Sequence, residues 1–265
     1  MYAGPLHLLG IDLSIWNATF LAAIVLGYPV LWLACRSAGP PVPRFLVFRY
    51  AGTVYGTALG AQLFAYVVDR HTSVLPPPGI SWVRYYFDPL SGPKTLYGAV
   101  LVLPVAALTL WEPRRGRDYV RTLDGWAPPL FAVLAIARVG CLLEGCCYGV
   151  PARWGLAFPA GTPASHRHVA AGWIAPGAAS LPVVPTQAIE ALLLAGLSVA
   201  ALRALAAGRR GIFLPALAAY GICRFVLEFL RDDPERNVVG PFSVSQWVAL
   251  ALLGGYGAWR HLPAR

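Results

Sequence analysis

Seven apolar stretches divide this chain, at roughly 11–35, 46–68, 96–111, 123–143, 186–207, 212–230 and 241–259. Each approaches the ~20 residues that carry a helix across a bilayer, and the third is short at about 16. Backbone groups inside hydrocarbon must be satisfied within their own segment, so only helices or closed barrels span. The expected fold is therefore all-α: a polytopic membrane helical bundle of about seven transmembrane helices. It forms a single domain over residues 1–265, with external loops at about 69–95 and 150–185. Charged residues make up 12% of the 265, against about 25% in soluble domains, which excludes an ordinary cytosolic enzyme. A disordered chain would be richer in charge. The first stretch has no basic residue ahead of it and no small-residue cleavage site, so it is expected to stay as a helix. Pro128-Pro129 are expected to interrupt the fourth, which ends in the glycine-rich segment 140–149.

Basic residues set the orientation. The segments after stretches one, three and five, with the tail, hold Arg36, Arg44, Arg49, Arg114, Arg115, Arg117, Arg121, Arg203, Arg209, Arg210, Arg260 and Arg265. The opposite, longer loops hold Arg70, Arg84, Lys94, Arg153, Arg167, Arg231 and Arg236. Positive-inside bias places the amino terminus outside and the carboxyl terminus in the cytoplasm. The two long loops then lie outside. They carry Trp82, Tyr85, Trp154 and Trp173, read either as an interfacial aromatic collar or as a cap admitting a lipid or a protein tail. A net charge of +9 suits anionic lipid. No zinc-finger spacing or basic–aromatic RNA motif is present, so nucleic acid is not an expected partner.

Of the 21 basic residues, Arg138 and Arg224 fall inside apolar stretches, where charges are costly and face a cavity or a partner. Helical spacing puts Arg224, Glu228 and Arg231 on one face, and Arg138, Cys141 and Gly145 on another. Gln187 and Glu190 lie one turn apart at the start of the fifth stretch. Guanidinium groups match phosphate oxygens through paired hydrogen bonds and stay charged in a dry site. The arginines with small glycines thus suit an anionic lipid headgroup. The plainer reading is internal pairing, for example Arg224 with Glu228, that only holds helices together.

Five cysteines occur. Cys35 and Cys223 are isolated and read as packing residues. Cys141, Cys146 and Cys147 sit between glycines, and several readings stay open. No second Cys or His pair with zinc spacing follows, so no metal is assigned, although His166 and His168 could complete a site. A disulfide suits an oxidising face. A reactive thiolate beside Arg138 is another reading, and a simple small-residue bend is the last.

The pattern Ala137-Arg-Val-Gly-Cys-Leu-Leu-Glu-Gly-Cys-Cys-Tyr-Gly149 resembles the signature Gly-Arg-x-Gly-Asn-Phe-x-Asn-Gly-Glu-x-x-Gly of the prolipoprotein diacylglyceryl transferases. It keeps Arg138, Gly140, Gly145 and Gly149. The family motif His-Pro-x-Gln-x-Tyr-Glu resembles Val184-Pro-Thr-Gln-Ala-Ile-Glu190. The motif Tyr-Gly-x-x-Arg-Phe-x-x-Glu-Phe-x-Arg is matched at Tyr220, Gly221, Arg224, Phe225, Glu228, Phe229 and Arg231. Ser/Thr-Met-Gly-Gln is similar to Ser243-Val-Ser-Gln246. The departures fall on polar chemistry. The signature's two Asn become Cys141 and Glu144, its Glu becomes Cys146, and the second motif has Val184 and Ile189 in place of His and Tyr. The family's catalytic His, in a His-Gly-Gly stretch, falls on Tyr97-Gly-Ala.

The resemblance implies a bacterial inner-membrane, multi-pass transferase. It would move a diacylglyceryl group from phosphatidylglycerol, or another anionic phospholipid, to the thiol of a lipobox cysteine in a preprolipoprotein. Glycerol phosphate leaves, and no cofactor is implied. Arg138 and Arg224 would neutralise the phosphate; Tyr97, Tyr148, Glu144 and Glu190 are the candidate bases, and Cys146 and Cys147 are candidate participants. Gly140, Gly145, Tyr148, Gly149, Gln187, Glu190, Glu228, Arg231 and Gln246 would line the lipid site. The alternatives are a related enzyme serving a different nucleophile with Cys146 and Cys147 involved, and a phospholipid-binding protein without turnover.

Overall fold

The computed structural model describes residues 6–8, 11–13, 15–37, 45–72, 81, 119–233 and 238–261. Seven α-helices lie among them: α1 Ile15–Ser37, α2 Leu46–Thr72, α3 Tyr119–Glu144, α4 Pro163–Ala170, α5 Thr186–Ala206, α6 Phe213–Leu227 and α7 Val244–Arg260. Strands are minor. β1 Leu6–Leu8 pairs antiparallel with β2 Ile11–Leu13, β3 Pro151–Leu156 follows α3, and β4 Val238–Val239 pairs antiparallel with β5 Phe242–Ser243.

Among the described residues, four segments are long and apolar enough to cross a membrane: α1, Thr122–Glu144 of α3, α5, and Phe213–Leu230, which is α6 with the 3-10 turn Glu228–Leu230. Helices α2 and α7 coincide with the expected second and seventh stretches. The third stretch, Lys94 and Tyr97 lie outside the described residues, as does most of the 69–95 loop. Large apolar side chains such as Val25, Leu26, Leu192 and Val199 are exposed on α1 and α5. A soluble domain would cover such surface; lipid tails solvate it.

The expected break at Pro128-Pro129 is not there, because α3 runs through both prolines. Each removes one backbone bond. At membrane depth the chain still has no better conformation than helix.

The chain divides into two compact units. One comprises Tyr28–Pro129 and Leu202–Phe213. Its aromatic centre stacks Tyr50 on Trp126 at 5.9 Å. In the same unit the buried Asp124 of α3 accepts hydrogen bonds from the backbone N–H groups of Gly211 (2.7 Å), Ile212 (2.8 Å) and Phe213 (3.0 Å). Those N–H groups open α6 and have no partner within their own helix. A carboxylate from another helix therefore caps α6, and its charge opposes the positive helix end.

The second unit comprises Met1–Gly27, Leu130–Ala201 and Leu214–Arg265. Lipid tails are as apolar as leucine, so helices here associate by close packing and not by the hydrophobic effect. Gly140 of α3 shows this. A Cβ at that position would overlap the Thr19 hydroxyl of α1. Thr19 Oγ1 lies 2.9 Å from the carbonyls of Ile15 and Trp16, its possible acceptors within α1. Phe131 of α3 lies against Tyr220 of α6, with ring centroids 6.3 Å apart.

The 150–185 loop is folded. Thr162 caps α4, accepting from Ser165 N–H at 3.4 Å, with Pro163 at the first helical position. Tyr148, Phe158, Ala164 and Val183 form a buried cluster, with Leu142 packed against it. Two backbone donors here are met by buried side chains. Phe158 N–H donates to Ser180 Oγ at 2.8 Å, and Leu181 N–H donates to His168 Nδ1 at 3.0 Å. Trp154 and Trp173 remain exposed.

Candidate functional site

Helix α3 ends at Glu144, and the chain then reverses. Gly145 has φ +77°, a left-handed conformation that glycine adopts without steric cost. Cys146 N–H reaches back to the Cys141 carbonyl at 3.2 Å. This six-to-one bond is the mark of a Schellman turn. The next residues are pinned by the first turn of α5. Gln187 Nε2 donates to the Cys146 carbonyl at 2.6 Å, and Thr186 Oγ1 donates to the Cys147 carbonyl at 2.7 Å. Gly149 N–H donates to the Val184 carbonyl at 3.0 Å, and Val150 N–H donates to the Leu230 carbonyl at 2.9 Å. A Cβ on Gly149 would meet the Leu230 carbonyl at 2.6 Å and Val184 Cβ at 2.8 Å. One short loop thus joins the ends of α3, α5 and α6.

Beside it runs a ladder of alternating charge. Arg138 Nε lies 3.0 Å from Glu190 Oε2. The same oxygen lies 3.5 Å from Arg224 Nη1. Arg224 Nη2 lies 2.8 Å from Glu228 Oε2, which is 3.6 Å from Arg231 Nη1. Arg231 closes the series on Asp233, with Nε–Oδ1 at 2.7 Å and Nη2–Oδ2 at 2.6 Å. Tyr220 donates its hydroxyl to Glu190 Oε1 at 2.8 Å, and Ser245 Oγ accepts from Arg224 at 3.2 Å. The arginines converge, but on carboxylates, and Arg224 pairs with Glu228 as the plainer reading of the sequence has it. Exposure is uneven along the ladder: Arg138 keeps 14% of its side chain accessible, against 3% for Arg224 and 8% for Arg231.

The expected shared helical face of Arg224, Glu228 and Arg231 is only partly present. Helix α6 stops at Leu227, Glu228–Leu230 tighten into a 3-10 turn, and Arg231 is extended. The i, i+4 contact survives, and the second becomes an i, i+3 contact across the turn. Gly145 likewise leaves the face of Arg138 and Cys141, because the left-handed bend precedes any further helical turn.

The remaining expected lipid contacts occupy protein interior. Gly140 faces Thr19, and Gly145 faces Phe158 and Thr162. Tyr148 belongs to the apolar cluster, edge-on to His168 at 6.0 Å. Gln246 forms a capping box with Ser243 at the start of α7 and donates to the Phe225 carbonyl at 3.4 Å. Glu144 ends α3 and is partly exposed. Gln187 is buried, and its Oε1 has no hydrogen-bond partner among the described residues. Tyr97 is outside the described residues.

All five cysteines are free thiols. The Sγ atoms of Cys141, Cys146 and Cys147 all lie within 4.8 Å of one another, and Arg138 Nη1 is 4.0 Å from Cys141 Sγ. Hydrogen bonds to Cys141 and Cys147, with burial, push the Cys146 thiol pKa up. His166 is exposed and outside the thiol group, and His168 Nδ1 already accepts from Leu181.

The sequence reading gave no site role to Tyr220, Ser245, Asp233 or Thr186. Tyr220 precedes Arg224 by one turn, a spacing that could have found it. Asp233 lies two residues past Arg231, a spacing that helical periodicity does not single out.

A multi-pass helical protein with a buried, charged centre beneath a glycine-rich loop is the class that fold and site define. The chain belongs to the prolipoprotein diacylglyceryl transferase family, whose pattern matches residues 5–259. It is a membrane transferase of that lipoprotein-biosynthesis family. It is 28% identical over 212 residues to phosphatidylglycerol–prolipoprotein diacylglyceryl transferase 2 of Clostridium perfringens, covering 77% of this chain and 73% of that protein. It is 32% identical to the Dehalococcoides mccartyi phosphatidylglycerol–prolipoprotein diacylglyceryl transferase, covering 71% and 70% respectively. The Paraburkholderia xenovorans protein of the same description is 27% identical across 100% of this chain and 93% of its own length.

Proposed function

We propose that this protein transfers the diacylglyceryl group of phosphatidylglycerol to the thiol of a lipobox cysteine, at the outer face of a bacterial inner membrane. The observation that carries the reading is the Arg138–Glu190–Arg224 junction. A buried ion-pair ladder is poor value as a helix clamp, because desolvation offsets most of its attraction and apolar packing would hold helices as well. Arg138, the most accessible of the three guanidiniums, presents the ladder to an incoming phosphate, with Arg224 behind it.

In the reaction the acceptor sulfur attacks the glyceryl carbon that bears the phosphate ester. The C–S bond forms as the C–O bond breaks, and the electron pair leaves on the phosphate oxygen of glycerol phosphate. Arg138 stabilises that developing charge, the kind of fixed electrostatic assistance that often dominates catalysis. Glu190 holds both guanidiniums in place and, being committed to them and to Tyr220, is poorly available as a base. The thiol proton goes to Glu144, the partly exposed carboxylate at the end of α3, in the manner of general base catalysis. The amino terminus is outside and the carboxyl terminus cytoplasmic in this reading.

A second reading, transfer to a nucleophile other than a lipobox peptide, is favoured by one observation. Cys141, Glu144 and Cys146 replace the polar residues of the family signature, and the thiols cluster. Expression in a strain depleted of its own transferase tests the first reading: lipidation of a lipobox substrate supports it. Failure there, with glycerol phosphate released from labelled phosphatidylglycerol by the purified protein without peptide, transfers support to the second.

A further inference from the structure

We propose that Cys141, Cys146 and Cys147 together bind one thiophilic metal ion of the zinc or copper(I) class. Three sulfurs sharing one such ion at about 2.3 Å stand roughly 3.8–4.0 Å apart. The Sγ atoms already lie within 4.8 Å of one another, so small side-chain rotations close the site. Soft thiolate donors select these ions over hard cations such as magnesium or calcium.

The backbone is built to hold the three thiols together. Cys141 lies in the last turn of α3, and the left-handed Gly145 swings the chain back so that Cys146 and Cys147 return beside it. Cys147 itself has φ +58°, a conformation uncommon for any residue with a Cβ. Strain of this kind persists where the surroundings over-determine it, and it concentrates at functional sites. The surroundings here are the Gln187 and Thr186 side chains, which fix the carbonyls of Cys146 and Cys147 from outside. These are supports of the type that orient metal ligands.

Charge also favours the assignment. Binding releases one proton from each thiol. Three thiolates leave a net negative charge of one around zinc and two around copper(I), and Arg138 Nη1 stands 4.0 Å from Cys141 Sγ to face it. Three protein ligands leave a zinc ion a fourth position for water or a substrate atom. The assignment stands apart from the transferase reading, since binding is measured on the protein without lipid or peptide substrate.

The test uses the full chain, purified in detergent with a non-thiol reductant and stripped of metal. It is titrated with cadmium(II) alone, as a zinc surrogate, and with copper(I) alone, each against a chromophoric competitor. One ion per chain, with a thiolate-to-metal charge-transfer band in the ultraviolet, is the expected result. C146S and C147S should each weaken binding by more than about tenfold, and the C35S/C223S double variant should bind as the parent does. Metal should also protect the Cys141–Cys147 segment of the unaltered protein from alkylation, a readout that requires no variant to fold. Absence of binding by the parent protein, or undiminished binding by a folded C146S/C147S protein, overturns the proposal.

Discussion

Arg138 and Arg224, on different helices, meet on a single oxygen: Glu190 Oε2 lies 3.0 Å from one guanidinium and 3.5 Å from the other. Removing that oxygen's charge leaves two buried cations facing each other. Glu190→Gln should therefore lower stability by roughly 3–5 kcal/mol, the usual result of breaking a buried pair, seen as a reduced melting temperature in detergent. Glu190→Asp, which keeps the charge, should recover part of it.

At the accessible end of the ladder the expected balance differs. Arg138→Gln should leave the protein folded, because 14% of the side chain reaches solvent and Glu190 keeps Arg224 as a partner. Turnover of phosphatidylglycerol should fall by about 10²–10³, the range seen when one electrostatic donor to a leaving oxyanion is lost. Parallel measurement of kcat and melting temperature separates this variant from a merely structural one.

Gly140 makes a steric prediction with its own control. Gly140→Ala places a methyl group into Thr19 Oγ1 and should destabilise by about 1–3 kcal/mol through overpacking. Adding Thr19→Ala removes the obstructing hydroxyl and should restore most of the loss. Strictly additive effects in that double-mutant cycle would sink the assignment of a close α1–α3 approach.

Asp124 should matter for stability and not for chemistry. Asp124→Ala leaves three backbone donors of the α6 start without their acceptor. A loss of about 2 kcal/mol is expected for removal of a cap in a partly buried setting, with kcat of the residual folded protein unchanged.

His168 gives a pH dependence of definite sign. Burial, opposed by Asp232 and aided by Arg167, holds its pKa below the usual 6.5. Its Nδ1 accepts from Leu181 N–H and cannot accept once protonated. In the unfolded chain His168 takes a proton below about pH 6.5, and in the folded chain only at lower pH. The unfolded state then binds more protons, so stability is full above about pH 6.5 and falls as the pH drops below it. Melting temperature between pH 8 and pH 5 should show this slope, reduced in His168→Gln.

The charged centre was largely legible because helical spacing is a local rule. Arg224 to Glu228 is one turn in any helix, and Gln187 with Glu190 at the start of α5 followed in the same way. Three things were not legible, and the first two depend on where a helix stops. Glycine at 145 signals a bend but does not say that the bend returns Cys146 and Cys147 to Cys141. The 3-10 turn after Leu227 sends Arg231 to Asp233, a partner that helical periodicity does not propose. Glycines read as room for a lipid headgroup proved to be contact points between protein segments, because a missing side chain marks closeness without naming the neighbour.

The ladder holds three guanidiniums and three carboxylates among the described residues, so it is electrically balanced at rest. In the proposed reaction, a phosphate drawing Arg138 away from Glu190 would upset that parity, with Arg224, Glu228, Arg231 and Asp233 next in line to rebalance it. The Gly149–Arg231 bridge ties the far end of the series to the loop bearing the thiols.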